Sequence, residues 1–419
     1  MCPLQINFTS SGLISPELVF NTNGYGTPIE PYILNFTSVV TINQPLAYGW
    51  NWWSAYIEMD GVSGMNQLKN GLGDNGVSIQ SHTQNTNYYI NSHSWRGNLN
   101  SLDMNQMYKI QTSVACTVEL QGLLANPVNH PIPIINGWNW VSYPYNQSMS
   151  VNDALSGFTP EANDQIKSRD NGYAIYISYG SYHLWQGTLN TLEPGQGYMY
   201  LSNSNEQKSL VYQTSRSEML LANITPENNI FVPSDESYAD NMTITAVIDL
   251  DGKELRSEEY ELAAFVGDEC RGSVKLMYVE PFNRYVAFLT VFGEESEEMH
   301  FVLTNGRASD MSVDHLDYVQ NEAMGSLTDP TVLHFGTLGV NDSGQAVVDI
   351  YPNPSDGIFN IKGEGIRKVE VMNALGQIIL SKEKENDFLQ VDLSNRAAGV
   401  YLLRVITDNG ISTNQLIRK

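Results

Sequence analysis

The segment GWNWWSAYI, which begins at Gly49, returns as GWNWVSYPY at Gly137. Trp50 and Trp138 are 88 residues apart, and Trp95 (WRGNLNSL) and Trp185 (WQGTLNTL) are 90 apart. NQMYKI around Tyr108 answers GQGYMYL around Tyr198, and VSIQSH (77–82) answers DQIKSR (164–169). Anchors at a nearly constant offset define an internal duplication, so the chain must build one small fold twice. Apolar and polar residues alternate within each copy, which is the period of a strand. In GWNWVSY the alternation puts Trp138 and Trp140 on one face. Further strands are expected in DQIKSR, YAIYISY, SYHLWQGTL and GYMYLS. A short helix is expected in SVNDALSGF, capped by Ser150 and stopped at Gly157. The copies are placed at residues 45–125 and 131–213. Residues 1–44, with strand-like YILNFTSVVTI at Tyr32–Ile42, read as the remnant of a preceding β module.

All seven tryptophans fall in the duplicated region, where charges are sparse and Asn, Ser, Tyr and Gln are plentiful. Flat rings beside neutral hydrogen-bonding groups suit sugars, because C–H faces stack on rings and hydroxyls pair with amides. Tryptophans that recur at fixed places in a small repeat are first of all its core, and Trp50, Trp52, Trp138 and Trp140 are read so. Trp53, answered by Val141, should point to the opposite side and is the expected exposed ring. Trp95 and Trp185 fit either core or rim. Tyr88, Tyr89, Tyr179 and Tyr182 sit beside turn-rich segments and are the expected rim aromatics of a glycan- or matrix-binding surface.

Residues 222–336 change character. They hold 22 acidic against 6 basic residues, a net −16 of the chain's −24. Strand patterns persist in NMTITAVIDL, YELAAFVGD, RGSVKLMYV, RYVAFLTVF and MHFVLTN, so an acidic β-sandwich is expected. Asp249 and Asp251 are spaced as in a calcium loop, but the remaining ligands of such a loop are missing, and Asp251-Gly252 reads as a hairpin turn. Cys270 reads as an unreactive thiol. GTLGVNDSGQ (residues 336–345) has the composition of a flexible connection and places a linker at 337–346.

The last stretch, 347–419, contains VVDIYPNPSDGIFNI, VEVMNALGQIIL and VDLSNRAAGVYLLRV, and closes on NQLIRK. Alternating runs broken by Pro352-Asn353-Pro354, Asp356-Gly357, Leu375-Gly376 and Ala398-Gly399 describe short antiparallel strands in a small sandwich. The pattern of Tyr351, Pro352, Asn353, Pro354, Gly357, Gly376, Gly399, Tyr401 and the terminal QLIRK through Lys419 resembles the type A C-terminal sorting domain of type IX secretion cargo. The resemblance implies an Ig-like sandwich and export across a gram-negative outer membrane, followed by release or surface attachment. It also implies two partners, the type IX translocon and a surface peptidase that cuts in the linker, with recognition through the last strand, Ile411 to Arg418. The duplicated pattern and YELAAFVGDECRGSVK resemble modules of large surface proteins from the same bacteria.

The fold class is therefore mainly all-β, with tandem β-rich modules followed by two sandwiches. The charge of −24 argues against nucleic acid and anionic membranes as partners. No run reaches the roughly 18 apolar residues of a membrane helix. Three cysteines far apart give neither a disulfide framework nor a metal site. Met1–Phe20 has no Lys or Arg and no continuous apolar core, so the chain is expected to start inside a longer protein. No nucleophile elbow, zinc-binding helix or phosphate loop is present, and no cofactor is implied. The expected function is a non-catalytic surface protein binding a glycan or host matrix. The rival is the accessory C-terminal part of a secreted hydrolase whose catalytic domain lies upstream.

Overall fold

The computed structural model describes residues 39–214, 229–235, 237–306, 309–336, 348–373, 378–383, 388–407 and 410–419. The expected linker, Gly376, and most of Tyr32–Ile42 lie outside the described residues.

The first aromatic module contains β1 (Val40–Leu46), β2 (Gly49–Trp53), α1 (Gly61–Leu72), β3 (Gly76–Gln80), β4 (Asn85–Tyr89), β5 (Ser94–Gly97), β6 (Tyr108–Thr112) and β7 (Cys116–Leu124). Its main sheet runs β2–β6–β3–β4–β5. β1 pairs antiparallel with β7 from Val40 opposite Gly122 to Leu46 opposite Cys116. Leu46, with Val40 and Ile42, packs into this module's core. Residues 40–44 therefore belong with the first module by pairing, not with a preceding one. The helix α1 was not expected, because Gly61, Gly64 and Gly71 weaken its propensity. Asp60 caps it by accepting the Ser63 N–H at 2.9 Å, and Met65, Leu68 and Leu72 form its buried stripe. Gly71 is small for a reason: a Cβ there would lie 2.5 Å from Val118 Cγ1 on β7.

The second module contains β8 (Gly137–Val141), α2 (Val151–Ala154), β9 (Gln165–Lys167), β10 (Tyr173–Tyr179), β11 (Tyr182–Gly187) and β12 (Tyr198–Ser202). Its sheet runs β8–β12–β9–β10–β11, the same spatial order as the first. Ser150 caps α2 as expected, accepting the Asp153 N–H at 3.0 Å, but the helix is a single turn that ends before Gly157.

The acidic region is one continuous ten-stranded sheet folded over into the two layers of a sandwich. One layer holds β14 (Glu261–Val266), β15 (Glu269–Lys275), β17 (Glu298–Thr304) and β18 (Ser309–Asp317); the other holds β13 (Asn241–Leu250), β16 (Arg284–Phe292) and β19 (Thr331–Phe335). Met242, Ile244, Leu262, Leu289, Phe301 and Leu333 fill its core. β13 and β19 pair in parallel, and the sheet passes from one layer to the other where Ser312 pairs with Phe335.

The C-terminal region is a second sandwich. β20 (Val348–Tyr351), β21 (Ile358–Gly363) and β24 (Phe388–Asp392) form one sheet; β22 (Ile366–Met372), β23 (Ile378–Glu383), β25 (Gly399–Thr407) and β26 (Gly410–Arg418) form the other. It has a core of its own in Phe359, Ile361, Val369, Val391, Leu403 and Leu416. The architecture is all-β, and no helix among the described residues is long and apolar enough to cross a membrane.

Candidate functional site

The two aromatic modules use the same sheet face for different ends. In the second, cross-strand neighbours set one row as Trp138, Leu201, Gln165, Ile175 and Gln186, and the next as Trp140, Met199, Lys167 and Tyr173. This face lies against the acidic sandwich. Ile175 and Ile177 pack with Val247, Val286 and Phe288. The Tyr173 hydroxyl is 3.0 Å from Thr245 Oγ1, Thr243 donates to Gln165 Oε1 at 3.0 Å, and Gln186 donates to the Tyr278 carbonyl at 3.1 Å. Burial pushes the Tyr173 phenol well above its usual range.

In the first module the corresponding rows are Trp50, Gln111, Ser78, Asn87 and Arg96, then Trp52, Lys109, Gln80 and Asn85. Tyr89 continues the face along β4. Ile175 and Ile177 have given way to Asn87 and Tyr89, and Tyr173 to Asn85. Asn85, Asn87, Tyr89 and Arg96 are all exposed. The Arg96 guanidinium sits 5.0 Å from the Tyr89 ring centre and donates to Ser92 Oγ at 3.2 Å, so the two side chains brace each other. The open surface thus presents one ring, one guanidinium and a row of amides on a sheet that its own core holds rigid.

Toward the other end the same face closes into a junction of three modules. Lys109 lies between Trp140 (4.5 Å from its ring centre) and Trp52 (5.6 Å), and pairs with Asp240. Lys167 lies between Trp138 (4.5 Å) and Trp52 (5.8 Å), donating to the Asn241 carbonyl at 2.7 Å and to Asn321 Oδ1 at 3.1 Å. Trp52 donates its indole N–H to the Ala239 carbonyl at 2.8 Å. Burial lowers the Lys167 ammonium to about 7, with Asp240 opposing that shift and Lys109 adding to it. Burial also lowers Lys109, against the pull of Asp240. Beside the junction, His82 stacks on Trp140 with ring centres 5.6 Å apart, at the edge of a cavity of about 250 Å³ that also touches Trp138, Asn139 and Gln106.

These placements correct part of the sequence reading. Trp53 is 1% exposed and stands in the first module's core beside Tyr108 and Ile110. Trp185 is 5% exposed in the second core, against Tyr176 and Tyr200. Neither can serve as a rim ring. The faces are the reverse of the expectation: Trp53 and Val141 look inward, Trp52, Trp138 and Trp140 look toward neighbouring modules, and Trp50 shares the face of Trp52. Trp95 is half-buried against α1, donating to the Lys69 carbonyl at 3.2 Å. Tyr88 leans on Trp95 (5.2 Å) and donates to Asp74, whose carboxyl that bond and His93 hold below its usual range. Tyr179 lies against Phe282 (5.1 Å) and Tyr182 packs beside it, so both border the acidic sandwich. Of the seven expected site residues, Tyr89 alone stands on the open face. The sequence reading passed over its companions Asn85, Asn87 and Arg96. It also passed over Lys109 and Lys167, whose one available signal was a cation inside a nearly uncharged strand.

At Asp249 and Asp251 the carboxylate of Asp249 accepts the Gly252 N–H at 2.7 Å, and Asp251 and Gly252 both have positive φ in a two-residue hairpin turn. Among the described residues no group of three or more His, Cys, Asp or Glu side chains is placed to hold a metal. The Cys270 thiol is pushed up to about 12 by burial.

The Pro352–Pro354 turn is stapled to the chain's last strand. Asn353 Oδ1 accepts the Ile417 N–H at 2.8 Å, and its Nδ2 donates to the Gln415 carbonyl at 2.6 Å. Ser355 N–H donates to the Ile417 carbonyl, and Lys419 N–H to the Ser355 carbonyl, each at 2.9 Å. Both prolines follow cis peptide bonds. Gly357, at φ 126°, leaves the space that Ser394 occupies. Tyr401 donates to the Ala397 carbonyl at 2.8 Å. Asn353, Ser355 and Lys419 thus tie the first turn of the sandwich to its last strand.

A two-sheet tail closed in this way follows the run of β modules. The family model described as secretion system C-terminal sorting domain matches residues 349–419. The chain carries a type IX secretion sorting domain and is a secreted or surface-attached protein. No curated protein matches the chain. Among solved structures, Tp47, the 47-kilodalton lipoprotein of Treponema pallidum, aligns at 8% identity over 88% of this chain and 99% of its own, with a TM-score of 0.14. That score carries no argument about fold.

Proposed function

We propose that this type IX cargo is a non-catalytic binding protein, and that the open face of the first aromatic module, around Tyr89 and Arg96, holds a glycan of the host matrix or of a cell surface. One observation carries the reading. The face that the second module spends on its neighbour, with Tyr173, Ile175 and Ile177, is rebuilt in the first as Asn85, Asn87 and Tyr89 and left open. Solvent alone asks for polar residues there. It does not ask for an exposed ring braced by a guanidinium beside a row of amides. A sugar does: its C–H face stacks on the ring and its hydroxyls pair with amide and guanidinium groups. The duplication, in this reading, supplies one copy for assembly and one for binding. The polar residues at the module junction are engaged in holding modules together.

The test is a glycan array probed with the whole chain, alongside Tyr89→Ala and Arg96→Ala. Retention of a glycan by the wild type, lost in both variants with melting temperature unchanged, supports the reading. No retained glycan, or retention that ignores both substitutions, overturns it.

A further inference from the structure

The sorting domain is held against its own cargo. Val400 and Ile417 are a directly opposed pair on β25 and β26. They point away from the domain's own core, whose residues on those strands are Tyr401, Leu403, Val405 and Leu416. An aliphatic pair on the outer face of a free sandwich would stand in water. Here Val400 is 4% exposed and Ile417 is 0%. What covers them is the outer face of the acidic sandwich: Ala263 and Phe265 of β14, Val302 of β17, and Phe231.

That floor is constructed. Ala263 and Val302 are cross-strand partners, and Phe231 meets Phe265 edge-on at 5.2 Å. The backbone at Ile230 and Phe231 is fixed by Glu261, whose carboxylate accepts both N–H groups at 2.7 and 3.0 Å. Close approach is helped by Gly399, where a Cβ would sit 3.1 Å from Asp268 Cβ. The lining is apolar on both sides, which suits two halves made to meet.

We propose that the acidic sandwich is a docking partner for the sorting domain, and that the pair stays together through this contact when the peptide joining them is cut. The acidic sandwich, on this view, is a holder for the tail as well as a spacer.

The test uses the whole chain with a specific protease site introduced within residues 337–346. After complete cutting, both pieces are run together on size exclusion at micromolar concentration. Co-elution of the wild-type pieces is expected. Val400→Asp, on the outer face of the sorting domain, and Ala263→Glu, on the outer face of the acidic sandwich, should each release the tail. Near-ultraviolet circular dichroism of the uncut variants shows that the modules remain folded, and either variant alone suffices if the other does not fold. Wild-type pieces that separate at once, or folded variants whose pieces still co-elute, overturn the proposal.

Discussion

Lys167 stands with its ammonium 4.5 Å from the ring centre of Trp138, enclosed where two aromatic modules and the acidic sandwich meet. It is the sharpest example of how this protein joins its parts. Lys109 and Lys167, one from each aromatic sheet, are sandwiched by indoles and tied to the acidic sandwich through Asp240, the Asn241 carbonyl and Asn321. A lysine in such a place costs desolvation that aromatic faces and carbonyls only partly return.

A pH dependence follows. The Lys167 ammonium is lowered from 10.5 to about 7, mainly by burial. Below pH 7 it is charged in both folded and unfolded chains, and the full burial cost is present. Between about 7 and 10.5 the folded chain holds it neutral while the unfolded chain still binds the proton, so stability should rise with pH, by at most about 1.4 kcal/mol per unit. Thermal melts across this window, compared with Lys167→Met, should show the wild type gaining on the variant as pH rises. Parallel curves would count against the assignment.

The Lys109–Asp240 pair should behave as a buried pair does. Asp240→Asn leaves the buried ammonium uncompensated and should cost about 3–5 kcal/mol, whereas Lys109→Met with Asp240→Asn should recover much of the loss. Chemical denaturation of the wild type, each single variant and the double variant checks this. Additive losses would show that the two groups do not act as a pair.

Two rings of the first module separate core from surface. Trp53→Ala removes a fully enclosed indole and should cost about 3–5 kcal/mol. Tyr89→Ala should stay within about 0.5 kcal/mol. Urea denaturation distinguishes them, and comparable losses at both sites would place Tyr89 in a packed environment.

Asn353→Ala should loosen the end of the chain. It removes one acceptor and one donor that the Ile417 N–H and the Gln415 carbonyl use, worth roughly 1–3 kcal/mol where those groups stay buried. Faster amide exchange at Ile417, with the β22–β25 pairing still protected, is the expected readout. Surface delivery in a type IX host should fall with it.

Much of the fold was legible in the chain. Alternation with Gly and Pro punctuation located most strands, because a strand half in a core must alternate. The hairpin at Asp251-Gly252 was legible for a local reason: that turn needs two residues with positive φ. Helix α1 was hidden by its glycines, which serve packing against Val118 and depress the local signal. The candidate site was scarcely legible. Tyr89 was named on its turn-rich surroundings, Trp185 fitted core and rim alike, and Trp53 was assigned by alternation that carries no sign. In GWNWW both sides are apolar, so the pattern could not tell which side met the module's own core.

The sequence by itself determined that the chain is a series of β modules ending in a sorting domain, because strand period, turn chemistry and the spacing of the tail's motif are local or repeated properties. The tertiary structure alone decided which face of each aromatic sheet is inside, which lysines are enclosed, and that Asn85, Asn87 and Arg96 stand around Tyr89. Those outcomes depend on which module packs on which. Contacts between residues as far apart as Lys167 and Asn321 leave no periodic trace in the order of the residues.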